Sequence, residues 1–249
     1  MKIHNKLGTV ITNLETWETA FLEVDDSKHW KPGRSACCLG KYFDPERKDG
    51  EELLRSVLGQ IPSLGDIVFG VGIIEFESKF DQYKGRGRFH DLAVWGHDGT
   101  KKFFVGIEAK VDETFGDTIA EARAKAEARG STSNGVARID GLKEKYLAGV
   151  DKETVSELRY QLLFYLAGSV RQAERGGAEI AVMPVIVFHS DLYHEKKGDA
   201  NKKAYLKFFR TLGFDESTLE NGMAMFSKVV CDIQVYSFYI EIDEAKAGA

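Results

Sequence analysis

A chain of 249 residues, 43% hydrophobic and 29% charged, is long enough to bury one large core, or one core with an added N-terminal piece. Its longest apolar run, Ile180 to Phe188, is too short for a membrane helix, no apolar secretory segment opens the chain, and three cysteines build neither a disulfide framework nor a CxxC metal pair. These features point to a cytoplasmic protein without a membrane partner, and a net charge of −5 excludes a general coating of nucleic acid while leaving room for a local basic patch.

In chain order, Asn13 is a candidate cap for a helix over 14–24, with Leu14, Trp17, Phe21 and Val24 as its apolar stripe. Pro32 and Gly33 break the chain, and Ser35 is the expected cap of a short helix reaching residue 42. Residues 44–50 read as a loop and 51–61 as an amphipathic helix. Strands are expected at 67–79, 88–96 and 102–111, the last two joined by the polar turn 96–101. An Ala-rich helix follows at 117–130, then a Gly/Ser linker at 130–135. A long helix over 155–175, a strand at 179–188, a helix at 201–211 and a strand at 229–242 complete the pattern. The expected organisation is an N-terminal helical extension, residues 1–50, packed on an α/β domain of residues 51–249.

The strand at 102–111 carries an anomaly. Alternate residues share a face of a strand, so Phe103, Val105, Ile107, Ala109 and Val111 form an apolar side. The other side runs Phe104, Gly106, Glu108, Lys110, turning from apolar to charged. On the preceding strand Phe89, Asp91, Ala93 and Trp95 share a face, and antiparallel pairing brings Asp91 toward Glu108. Two carboxylates brought together repel unless a cation lies between them, and Mg²⁺ or Mn²⁺ takes such oxygen ligands. A neighbouring lysine can hold a water or a developing negative charge, an arrangement suited to phosphodiester cleavage. The bland alternative is a structural Glu108–Lys110 ion pair. Glu77 and Lys79 repeat the spacing, but with Glu75 they read as the solvated face of an edge strand. His90 reads as a packing residue, and the His189/His194 spacing does not suit a metal. No phosphate-binding GxxxxGK loop or GxSxG elbow is present.

Gln161 and Tyr165 stand four residues apart on one helix face. Together Asp91, Glu108-Ala109-Lys110 and Gln161-x3-Tyr165 resemble the PD-(D/E)XK nuclease superfamily, particularly its RecB-like branch, over about residues 51–190. The segments WKPGRSA and GIEAKVDETFGD look like those of a group of uncharacterised bacterial proteins assigned to that superfamily. The resemblance implies a restriction-endonuclease-like core: helix, three-stranded antiparallel meander, helix and strand, in a mixed sheet flanked by helices. It implies Mg²⁺ or Mn²⁺ held by Asp91, Glu108 and the Ala109 carbonyl, with Glu51 or Glu52 as a further ligand from the first core helix. Lys110 would orient or activate water, Gln161 would support the lysine or a phosphate, and Tyr165 would brace the site. The family's proline before the first aspartate is replaced by His90. DNA is the expected partner, with RNA the alternative and a second copy of the chain a further candidate. Lys84, Arg86, Arg88, Arg123 and Arg138 are the candidate phosphate-tracking residues, against the alternative that they are solvated surface. The rival function is a nuclease-fold protein that binds nucleic acid or a protein partner without cleaving.

Overall fold

The computed structural model describes residues 1–130, 134–219 and 223–243. A short antiparallel ribbon, β1 (Lys2–His4) and β2 (Val10–Ile11), precedes helices α1 (Leu14–Leu22), α2 (Ser35–Tyr42) and α3 (Asp49–Leu58). The meander β3 (Val68–Ser78), β4 (Arg88–His97) and β5 (Lys102–Lys110) follows. Then come α4 (Ile119–Ala128), α5 (Gly135–Tyr146), α6 (Lys152–Glu157) and α7 (Tyr160–Gly176). Strand β6 (Ile180–His189), helix α8 (Glu195–Thr211) and strands β7 (Asp215–Thr218), β8 (Ala224–Val230) and β9 (Ile233–Asp243) close the described chain.

The strands form one mixed, mostly antiparallel sheet in the order β2-β1-β3-β4-β5-β6-β9-β8-β7, with β6 parallel to both β5 and β9. Helices cover both faces. On one side α4 to α8 pack over Ala93, Phe104, Met183 and Val185; on the other α1, α2 and α3 pack over Val94, Val105, Ile107 and Ile186. A strand buried on both faces has no polar side, which is why residues 180–188 read as one apolar run. The apolar side expected for β5 lies in the second core, and Phe104 lies in the first. No helix among the described residues is long and apolar enough to cross a membrane.

Asn13 caps α1 as its sequence suggests, in a reciprocal box with Thr16. Other boundaries differ for identifiable reasons. The residues expected to be one helix from 155 are α6 and α7, because Leu158 and Arg159 are extended and Arg159 bridges to Thr118. The strand expected over 229–242 is a hairpin whose turn residues Cys231 and Asp232 both have positive φ (51° and 64°). Such a turn is normally announced by Asn-Gly, and this one carries no glycine. The ribbon β1–β2, helix α5 and strand β7 lie where no element is expected, and α8 begins six residues before the expected 201. Within the expected linker, residues 131–133 lie outside the described residues.

Helix α7 is pressed on the sheet where a side chain would not fit. A Cβ at Gly168 would stand 2.8 Å from both Cβ and Cγ of Arg88 and 3.4 Å from His90 Nε2. Alanine is favoured over glycine inside a helix by about 1 kcal/mol. Overpacking at a close contact costs about 1–3 kcal/mol. Gly168→Ala is therefore expected to lower the denaturant midpoint despite its better helix propensity. An unchanged or raised midpoint would show that the α7–β4 approach is loose.

Candidate active site

Strands β4 and β5 pair from His97↔Lys102 to Leu92↔Ile107, and the regular ladder stops there. The next pair across would be Asp91 and Glu108. Instead the Ala109 N–H donates to Asp91 Oδ2 at 2.6 Å, so a side chain replaces a backbone acceptor where the strands part. Alternation also fails at this point. The His90 ring packs on Phe104 and Tyr165, in the same core as Ala93 three residues on. A common face for residues 89, 91, 93 and 95, expected from strict alternation, is therefore not maintained. Asp91, Glu108, Lys110 and Gln161 nevertheless border one cavity of about 680 Å³.

Glu108 is the centre of the cluster and is only 3% exposed, with Lys110 and Arg88 at 6% and 7%. Its Oε1 lies 2.8 Å from Lys110 Nζ and accepts a hydrogen bond from Gln161 Nε2 at 2.7 Å; its Oε2 is ion-paired with Arg88 Nη2. Gln161 occupies the first turn of α7, where the helix dipole also favours a carboxylate. One turn on, the Tyr165 hydroxyl donates to the carbonyls of Gly106 and, at 3.1 Å, Pro184, fastening α7 to β5 and β6. The Arg88 guanidinium lies 5.3 Å above the Tyr165 ring, and its Nε has no hydrogen-bond partner among the described residues.

Burial dominates the electrostatics. It pushes the Asp91 carboxyl up, against the pull of Arg88 and the Ala109 N–H. It lowers Lys110 to about 8, opposed by the attraction of Asp91. His90 is driven well below its usual range by burial and by Arg88, so it is a neutral packing residue. Glu113 goes the other way. Burial raises it, but the Val111 N–H, the Ser35 hydroxyl and Lys110 outweigh that and hold it ionised.

Three acids that the sequence does not single out for the site border the cavity: Asp25, Glu75 and Glu113. Glu75 is set across from Asp91 by the β3–β4 register and has φ +48°, a left-handed conformation rarely adopted by non-glycine residues. Burial and the nearby Asp91 charge push its carboxyl well up. The reading of Glu75 as solvated strand face is thus corrected, and its only sequence signal is an acid inside an apolar strand. Ser35 is the first residue of α2 rather than its cap, and its hydroxyl donates to Glu113 Oε1 at 2.8 Å. Arg34 Nη1 donates to Asp112 Oδ1 at 2.7 Å, and Lys28 and Lys31 border the same cavity. Residues 25–36 therefore form one wall of the site.

The expected contribution of the first core helix is absent. Glu51 binds the Met1 amino group at 2.5 Å and Arg55 Nη2 at 2.9 Å, and with Glu52 it borders a different cavity. The expected phosphate-tracking residues are also divided. Lys84 and Arg86 are exposed, whereas Arg88 is buried against Glu108. Arg123 is paired with Glu127 and Asp140, and Arg138 with Asp81.

A divalent cation can be weighed against these donors. Asp91, Glu108, Glu75 and the Ala109 carbonyl are hard oxygen ligands of the type Mg²⁺ or Mn²⁺ takes. As they stand, no group of three or more His, Cys, Asp or Glu side chains among the described residues could hold a metal ion. Arg88 supplies the positive charge at Glu108 Oε2. The donors fit the ion in type, and a cation seated on Glu108 must displace Arg88 from that oxygen.

Fold and site together define a three-layer α/β protein with a buried acid–lysine cluster where two central strands part. The chain belongs to the DUF6946 family, described as a domain of unknown function, whose model matches residues 10–244. Comparison with curated proteins and with solved structures gives no match.

The tyrosine contacts generate a test of how the site is held. Tyr165→Phe removes the donor to two buried carbonyls, a loss of about 1–3 kcal/mol. Chemical denaturation is expected to show that loss with the near-UV spectrum retained. No change in stability would mean that the hydroxyl does not fasten α7 to the sheet.

Proposed function

We propose that this protein is a metal-dependent nuclease that hydrolyses phosphodiester bonds of DNA, with RNA as the alternative substrate. The observation that carries the reading is the convergence of Asp91, Glu108, Lys110 and Gln161 on one cavity from three different elements. An antiparallel meander followed by helices and a strand parallel to its last member supports a restriction-endonuclease-like core. Asp91, Glu108 and the Ala109 carbonyl would hold Mg²⁺ or Mn²⁺, and Glu75 takes the place expected for an acid of the first core helix. When bound, the ion supplies Lewis acidity and charge for the phosphate oxygens. Lys110 holds a water by its ammonium group and offsets negative charge as it develops. Gln161 keeps Glu108 in place, Tyr165 keeps α7 against the strands, and Lys28 and Lys31 receive flanking phosphates at the cavity wall.

One observation favours a second reading, a nuclease-fold protein that binds nucleic acid without cleaving it. Arg88 already neutralises Glu108, which is how a site that has dispensed with a metal would be built.

Calorimetry with Mn²⁺ and a Mg²⁺-dependent cleavage assay separate the two. Lys110→Met is expected to reduce cleavage about 10²–10³-fold while retaining Mn²⁺ binding, because an ammonium group is not a ligand. Asp91→Asn is expected to weaken the metal itself, with activity partly restored at high Mn²⁺. Absence of Mn²⁺ binding and of cleavage by the parent protein would refute the enzyme, and unimpaired cleavage by Lys110→Met would refute the role given to Lys110.

Ca²⁺ probes the same site without mutation. Its ligand distances of about 2.3–2.6 Å, against about 2.0–2.1 Å for Mg²⁺, suit binding but not alignment of the attacking water. Ca²⁺ is therefore expected to support DNA association without cleavage, read by fluorescence anisotropy and gel assay in parallel.

A further inference from the structure

A second cavity, of about 500 Å³, lies between the 80–83 turn, α5 and α7 and shares no residue with the acid site. Helix α5 presents Arg138, Gly141, Leu142, Lys145 and Tyr146 to it, the spacing of one helical face. Helix α7 answers with Arg171 and Arg175, one turn apart. In a chain of net charge −5, four cations line this cavity against one carboxylate, Asp81, which Arg138 already neutralises. Arg171 is paired with Glu174. Lys145 and Arg175 have no carboxylate partner among the described residues, and Lys145 Nζ lies 5.1 Å from the Tyr146 ring centroid. Tyr83 and Phe80 also line it, Phe80 with its ring under the Arg138 guanidinium.

Gly141 is the independent observation. It stands inside α5 with ordinary helical φ, where alanine would be favoured by about 1 kcal/mol. A Cβ there meets nothing within 4 Å, so no packing contact requires the glycine. Gly141 is exposed at the cavity edge, so a larger side chain there would project into the opening.

We propose that this cavity binds a nucleotide unit, its phosphate held by Lys145, Arg171 and Arg175 and its base seated against Tyr83 and Tyr146. The planar guanidinium of an arginine suits phosphate oxygens, and a base stacked on an aromatic ring contributes about 1–3 kcal/mol. The unit comes either from a free nucleotide or from a nucleic-acid strand. The inference does not depend on the nuclease reading, since none of these residues belongs to the acid site.

The test uses the full chain with two probes, dAMP by calorimetry and a fluorescein-labelled oligothymidylate by anisotropy. Gly141→Leu fills the cavity without a clash at Cβ, and Lys145→Glu with Arg175→Glu reverses the unpaired charges. Each variant is expected to weaken binding at least tenfold with its melting temperature retained. Binding of dAMP that the variants abolish supports a free nucleotide; binding of the oligothymidylate alone, lost in the same variants, supports a strand. Should Gly141→Leu fail to fold, the exposed double charge reversal decides alone. Neither probe binding, or binding that the charge reversal leaves unchanged, overturns the proposal.

Discussion

Glu108 is a carboxylate buried in the middle of a nine-stranded sheet, and much of the surrounding structure answers the problem it creates. An unpaired charge in that position would cost several kcal/mol, so both oxygens are paired with cations and Oε1 is also hydrogen-bonded to Gln161. Lys110 comes from the same strand, Arg88 from the start of β4 and Gln161 from the first turn of α7. Each imposes a geometric demand. The sheet ladder must stop at Leu92, α7 must start at Tyr160 rather than continue from α6, and Gly168 must stay bare so that Arg88 passes beneath the helix.

This view explains which parts were legible in the sequence. Glu108 and Lys110 were visible because they interrupt an otherwise apolar strand, and Gln161 and Tyr165 because a four-residue step keeps them on one helix face. Asp91 was visible as the partner across a short turn. Glu75 was not, because an acid next to Glu77 and Lys79 has the pattern of a solvated edge. Its left-handed φ and its neighbour Asp91 are set by the register of β3 on β4, which no local pattern encodes. Arg88 was misread for the converse reason. In KGRGR it resembles Lys84 and Arg86, yet it is the first residue of β4 and is carried inside with the strand.

The N-terminal residues show the same limit at larger scale. Their helix α1 was expected, but β1 joins the sheet beside β3, and the stretch between α1 and α2 walls the acid cavity. Ser35 and Arg34 reach the loop after β5 through bonds spanning 78 residues of sequence. On the same loop Asn201 of α8 donates to the Glu113 carbonyl at 2.7 Å and accepts from the Phe115 N–H at 3.1 Å. That loop is thus gripped from both layers, which fixes the Glu113 carboxylate relative to Lys110. Long-range contacts of this kind leave only polar residues at otherwise ordinary positions.

Arg88 raises the sharpest question about what the cluster is for. A buried ion pair commonly contributes less to stability than apolar residues of similar volume would, because both charges must be desolvated. Here the expense is larger, since burial also raises Asp91 and Glu75 and lowers Lys110. A core selected for stability alone would not gather three carboxylates, a lysine and an arginine at one point. On the nuclease reading the arrangement has a reason: the acids are required by the reaction, and Arg88 is the counter-charge that lets the chain fold before a metal arrives. On the binding reading Arg88 is the permanent replacement for that metal. In the first case Arg88 must give up Glu108 Oε2 when the cation binds, and because α7 is pressed on Arg88 at Gly168, only the guanidinium end of the side chain is free to swing.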